Sequence, residues 1–111
     1  PTPSNETYGN AVMGKEVFET ASPIACKTCH SLDGTTGLGP SLEGIATLGA
    51  ERIDGTSASG YIRQSILNPG FFVLDDFTDG LMPANFADTL SADDINNLVK
   101  FLLDQGKSDS Y

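Results

Sequence analysis

The sequence predicts an all-α domain of three to five short helices. Three observations carry that expectation. Apolar residues recur at helical spacing near the start, the middle and the end of the chain. The short apolar run Phe71-Phe72-Val73-Leu74 has no evident partner strand. Finally, Cys26-Lys27-Thr28-Cys29-His30 reads C-x-x-C-H, the signature of covalent haem attachment, which makes the remaining residues a container for a flat apolar group.

The chemistry of that pentapeptide explains its spacing. Two thiols three residues apart on one helical turn reach the two vinyl groups on neighbouring haem edges, and each forms a thioether. His30, next in the chain, then points its imidazole at the iron from one side. Other uses of C-x-x-C fit less well. A thioredoxin-like redox pair expects a βαβ pattern, which the sequence lacks. A zinc site needs four N or S ligands, and the chain holds two Cys and one His in total. A plain disulfide leaves His30 unexplained.

Length and composition bound the rest. At 111 residues the chain is one domain. Its 39% hydrophobic content, without Trp, is sufficient once a haem joins the core. Fifteen acidic residues face six basic ones, for a formal charge of −9. Nucleic acid, which needs a basic footprint, is excluded. An acidic surface suits redox partners with basic docking surfaces and a salt-sensitive encounter. No run of 18 apolar residues is present to span a membrane. Neither is a signal peptide. The start Pro1-Thr2-Pro3 reads as a processed or excised end, with room for an upstream signal, lipid anchor or membrane tether.

The chain divides into a tail or tether at 1–8, a folded domain at 9–106 and a C-terminal tail at 107–111. Asn10 caps a first helix over about 10–21, whose apolar face holds Met13, Val17, Phe18 and Ala21 together with Gly14. A mid-helix glycine costs about 1 kcal/mol against Ala, which close approach of another helix would justify. Pro23 ends the segment. After His30, residues 31–40 form a loop with three Gly and Pro40. A ligand imidazole needs its second nitrogen held by an acceptor, and a carbonyl of this loop is the candidate. Leu42 follows, able to cover the ring. A short helical piece is expected over Ser41–Leu48, stopping at Gly49. Another helix runs from about Ala58 to Leu67, with Ile62 and Ile66 at i, i+4, and Asn68-Pro69-Gly70 stops it. Phe71–Leu74 is read as an extended segment lying against the core. The last helix opens on Ser91-Ala92-Asp93-Asp94, a capping box with Asp in place of Glu. Ile95, Leu98, Val99, Leu102 and Leu103 form its apolar stripe, widened by Phe101, and Gly106 ends it beside Lys107.

The iron needs a sixth ligand. Candidates are Met13, Met82, a Lys, a Tyr or water. Met13 lies on the expected apolar face of the first helix and reads as packing. Met82 is favoured, because Pro83 biases it to extended backbone in a loop that can reach in from the far side. Axial Met/His pairing is a recurring haem solution, and a thioether raises the potential by favouring the ferrous state. With both positions filled the iron has no open site, so electron transfer is expected rather than oxygen activation. The alternative is a haem-based sensor or gas-binding module in which Met82 is labile.

In this order of features the chain resembles the class I cytochrome c family over residues 9–105. The features are Gly14 and Phe18 in the first helix, the attachment pentapeptide, Gly39-Pro40 with Leu42, a middle helix, Met82-Pro83, and a last helix with Leu98 and Phe101. The resemblance implies a monohaem electron carrier with haem c on Cys26 and Cys29, and with His30 and Met82 on the iron. It implies first and last helices crossing at a Gly/aromatic contact, and a Pro40 carbonyl accepting from His30. It also implies protein redox partners and an extracytoplasmic location, the bacterial periplasm or the outer face of the cytoplasmic membrane. Tyr61-Ile62-Arg63-Gln64-Ser65-Ile66-Leu67-Asn68-Pro69 is similar to bacterial respiratory members, including domains fused to terminal oxidase subunits. The chain lacks the Trp that mitochondrial members use on a propionate, and Tyr61 and Arg63 are the substitutes the sequence offers.

Overall fold

Asn10 starts the first helix as its type predicts: its side chain accepts from the Met13 amide at 3.0 Å, supplying one partner for the free N–H groups of a helix end. A computed structural model describes residues 9–105. The elements are α1 (Ala11–Thr20), a 3₁₀ turn (Cys26–Thr28), α2 (Ile45–Arg52), α3 (Ala58–Leu67), α4 (Phe86–Thr89) and α5 (Ala92–Asp104), with no strand among the described residues. The tails expected at 1–8 and 107–111, and the Gly106 stop, lie outside the described residues.

The architecture is an all-α shell in which α1 and α5, far apart in sequence, pack against each other. Their contact is built on Gly14. A Cβ added there would sit 1.9 Å from the Asn97 carbonyl oxygen and 2.7 Å from the Phe101 Cβ, so the two backbones touch with no side chain between them. One turn on, the Phe18 and Phe101 rings meet with centroids 5.6 Å apart, tilted by 49°. The Asn10 amide donates to Asn97 Oδ1 at 2.8 Å and ties the start of α1 to the middle of α5. At the other end of α5, Ser91 and Asp94 complete the capping box, with bonds of 3.0 and 3.1 Å. Leu98 and Val99 are almost fully buried beneath this contact.

Three expectations are corrected, and a fourth holds in part. Met13 is not in the core: it is 55% exposed, because the face of α1 that meets α5 is set by Gly14 and Phe18, and Met13 lies beside it. The second helix begins later than Ser41, after Gly44, whose φ of +70° favours glycine, and it runs through Gly49 to Arg52. Gly49 is no stop signal. It is buried, and a Cβ there would lie 3.2 Å from the Tyr61 ring, so glycine lets α2 and α3 approach. In the segment 71–74, Phe72 packs edge-on to Tyr61 at 5.9 Å, but Phe71 is 61% exposed and lies off the core. The four-residue α4, too short for a periodic signal, places buried Phe86 in the core.

Candidate haem site

All five helices contribute to the walls of one large cleft. Phe18 comes from α1, Ile45 and Arg52 from α2, Tyr61, Ile62, Ser65 and Ile66 from α3, Phe86 from α4, and Leu98 and Leu102 from α5. Loops complete it with Ile24 to Cys26, Cys29, His30, Leu38 to Pro40 and Leu42 on one stretch, and Phe72 to Leu74 and Phe77 to Pro83 on another. Counted to its open mouth, the space is about 1190 Å³. Arg52 and Asp79 are the charged side chains on its wall among the described residues.

The attachment pentapeptide occupies a single tight turn. The Cys29 and His30 amides both donate to the Cys26 carbonyl, at 3.2 and 3.0 Å, which brings both thiols and the imidazole to the same cleft. The thiols are free. Burial pushes the Cys26 thiol up to about 11, and the neighbouring Cys29 adds to the rise.

The imidazole is fixed from two sides. His30 Nδ1–H donates to the Pro40 carbonyl at 2.8 Å, which leaves the Nε2 lone pair available to a metal. Gly39 lies flat against the ring, where an added Cβ would be 2.6 Å from Cε1, 2.9 Å from Nδ1 and 3.0 Å from Nε2. Burial lowers the His30 pKa below its ordinary value, which favours the neutral ring and is opposed by the Pro40 bond. The Gly39 amide in turn donates to the Cys29 carbonyl at 2.9 Å, locking the loop to the attachment turn. Gly39→Ala is therefore expected to turn the imidazole off the Pro40 carbonyl, at a cost of about 1–3 kcal/mol. Thermal unfolding of the haem-loaded variant checks this; an unchanged midpoint would contradict it.

Of the other predicted residues, Leu42, Tyr61 and Met82 line the cleft, and Arg63 does not. Arg63 Nη1 donates to Asn96 Oδ1 at 2.8 Å and lines a separate groove with Leu67, Ala87, Leu90 and Ile95. The reason is helical geometry: Tyr61, Ile62, Ser65 and Ile66 share the cleft face of α3, and Arg63 falls about 60° past its edge. The cation that does reach the cleft is Arg52, which the sequence reading passed over. Its Nη1 donates to Tyr61 Oη at 3.1 Å, and its guanidinium lies 5.5 Å from the centre of the Tyr61 ring. Arg52 is the last residue of α2, where a helix favours positive charge. Leu42 is held by a second missed residue: Gln105 Nε2 donates to the Leu42 carbonyl, joining the end of α5 to the cleft wall.

These residues fit a covalently held haem. The two thiols, the neutral imidazole with Nε2 spare, and an apolar cleft with an open mouth meet in one place. Such a fold and site define a c-type haem protein. A family model described as Cytochrome c matches residues 11–106, and the chain belongs to that family. No curated protein matches the chain. Membership carries haem c bound covalently through Cys26 and Cys29, haem-based electron transfer and redox partners. No helix among the described residues is long and apolar enough to cross a membrane.

Proposed function

We propose that this chain is a one-electron carrier in which His30 and Met82 hold the iron from its two sides. The observation that carries the reading is the His30 imidazole, locked on the Pro40 carbonyl with Nε2 left over, in a cleft whose wall also contains Met82. The bound group supplies the exchange of one electron between ferrous and ferric states. The chain supplies the rest. Pro40 and Gly39 hold the imidazole in one orientation, so the ligand does not reorganise between oxidation states. Phe18, Ile45, Ile62, Ile66, Leu98 and Leu102 keep water from the ring and hold the local dielectric low. A thioether from Met82 favours the ferrous state and closes the sixth position.

Arg52 and Tyr61 are the residues proposed to receive a haem propionate, replacing the Tyr61 and Arg63 pair expected from sequence. The physiological setting proposed is a respiratory or photosynthetic chain outside the cytoplasm, with the protein acting as a free carrier or as a domain of a membrane-attached complex such as a terminal oxidase.

A spectroelectrochemical titration tests the reading. The expected result is a single reversible one-electron transition, with a lower midpoint in Arg52→Leu, because losing a nearby cation favours the more positive ferric form. A midpoint unmoved by Arg52→Leu would remove Arg52 from the site, and an irreversible or two-step transition would count against a carrier.

A further inference from the structure

We infer that Gln105, at the end of α5, is a positioning residue for the His30 imidazole: through the loop 31–42 it sets how firmly the Pro40 carbonyl is held on the ring. This inference rests on the reading of His30 as an iron ligand. It starts from the loop. Pro40 carries the acceptor for His30 Nδ1–H, at 2.8 Å, and residues 31–42 around it form no helix or strand. Two bonds close the loop on the attachment turn. Gly39 N–H donates to the Cys29 carbonyl at 2.9 Å, and Leu42 N–H to the Ser31 carbonyl at 2.8 Å. Cys29 and Ser31 flank His30 in the chain, so these bonds fix the loop to its own base and not to the rest of the fold.

A tie to the rest of the fold comes at Leu42. Its carbonyl accepts from two donors: the Ile45 amide at 3.2 Å, where α2 begins, and Gln105 Nε2, 63 residues along the chain. Gln105 Nε2 also donates to the Leu102 carbonyl at 3.3 Å, so both N–H bonds of the side-chain amide are used on backbone acceptors. Two carbonyls require a donor between them, which fixes the amide with its nitrogen toward the wall. Leu42 and Leu102 both line the cleft, so the partly buried Gln105 joins two stretches of its wall. The consequence is electronic. An imidazole whose second nitrogen donates to a held carbonyl is a stronger base toward its metal, and stronger donation favours the more positive ferric state. With Leu42 released, the Pro40 carbonyl two residues back is held less closely on Nδ1, and the ferric state loses that support. Gln105 touches neither His30 nor Pro40 and acts through the loop backbone.

Gln105→Met tests this in the haem-loaded protein, because it keeps the length and bulk of the side chain, adds no charge and removes both donors. Its midpoint potential is expected to rise. Losing the direct partner of a metal-bound imidazole commonly costs about 10–100-fold in metal affinity. Gln105 acts one step further back, so the expected shift is at most about tenfold in ferrous preference, or ~59 mV. In the ferrous state, exchange of His30 Nδ1–H with deuterium, followed by NMR, is expected to be faster than in the parent. Thr89→Val is the control. It removes a bond of the same kind, from Thr89 Oγ1 to the Ser22 carbonyl at 2.7 Å across 67 residues, that does not reach the loop, and both readouts should stay at the parent's values. In Gly39→Ala, where the imidazole is already turned off Pro40, adding Gln105→Met is expected to move the midpoint no further. The inference is overturned by a Gln105→Met midpoint at or below the parent's, by unchanged exchange, by an equal shift in Thr89→Val, or by a shift that adds in full to that of Gly39→Ala. A parent without a reversible one-electron transition would instead defeat the electron-carrier reading.

Discussion

Replacing Gly14 by Ala is expected to cost this protein a large part of its stability. Two effects oppose each other at that position. Ala is the better helix former by about 1 kcal/mol, so propensity alone predicts a gain. Sterically the new methyl lands 1.9 Å from the Asn97 carbonyl oxygen and 2.5 Å from its carbon. Those are backbone atoms of α5, and backbone cannot swing aside as a side chain does. The helices must separate, and with them the Phe18–Phe101 ring contact, the Asn10–Asn97 hydrogen bond and the cover over Leu98 and Val99. Overpacking commonly costs about 1–3 kcal/mol, and a forced backbone separation belongs at or above the top of that range. Against a total of about 5–15 kcal/mol, that is a large fraction. Guanidinium unfolding of the haem-loaded protein measures it. A midpoint equal to or above the parent's would show that α1 and α5 do not meet as described.

Met82→Ala is expected to have the largest functional effect. Removing the thioether takes away the ligand that favours the ferrous state, so the midpoint potential falls. Each tenfold loss of ferrous preference is ~59 mV for one electron, so a hundredfold loss lowers the midpoint by roughly 120 mV. The ferrous variant should also bind carbon monoxide, which the parent should refuse. Met13→Ala is the internal control: Met13 is exposed on α1 and lines no part of the cleft, so both properties should stay at the parent's values. If the two variants behave alike, Met82 is not the sixth ligand.

The attachment turn was readable from sequence because covalent chemistry dictates its spacing: two thioethers and a ligand need two Cys and a His within one turn. The terminal helices were readable because their caps are local, Asn10 and Ser91 each bonding an amide three residues on. What escaped depended on the partner helix. Gly49 looks like a stop until Tyr61 is seen packed on it, and the error displaced α2 and left Arg52 unassigned. Arg63 belongs to a helix that lines the cleft, but which side of α3 meets the cleft is decided by packing against α2 and α5, which the local sequence does not record. Gly39 stands in the sequence as one loop glycine beside Pro40, and only the folded loop brings its bare Cα against the His30 ring.

With His30 and Met82 both on the iron, the proposed site would be closed to added ligands. Optical spectra of the ferric and ferrous protein, with carbon monoxide then added to the ferrous form, test it most directly. Expected are low-spin spectra, a weak red sulfur-to-iron band in the ferric state, and no change on adding the gas. A high-spin spectrum, or rapid binding of the gas, would contradict it and make the protein a haem module with an open or labile sixth position.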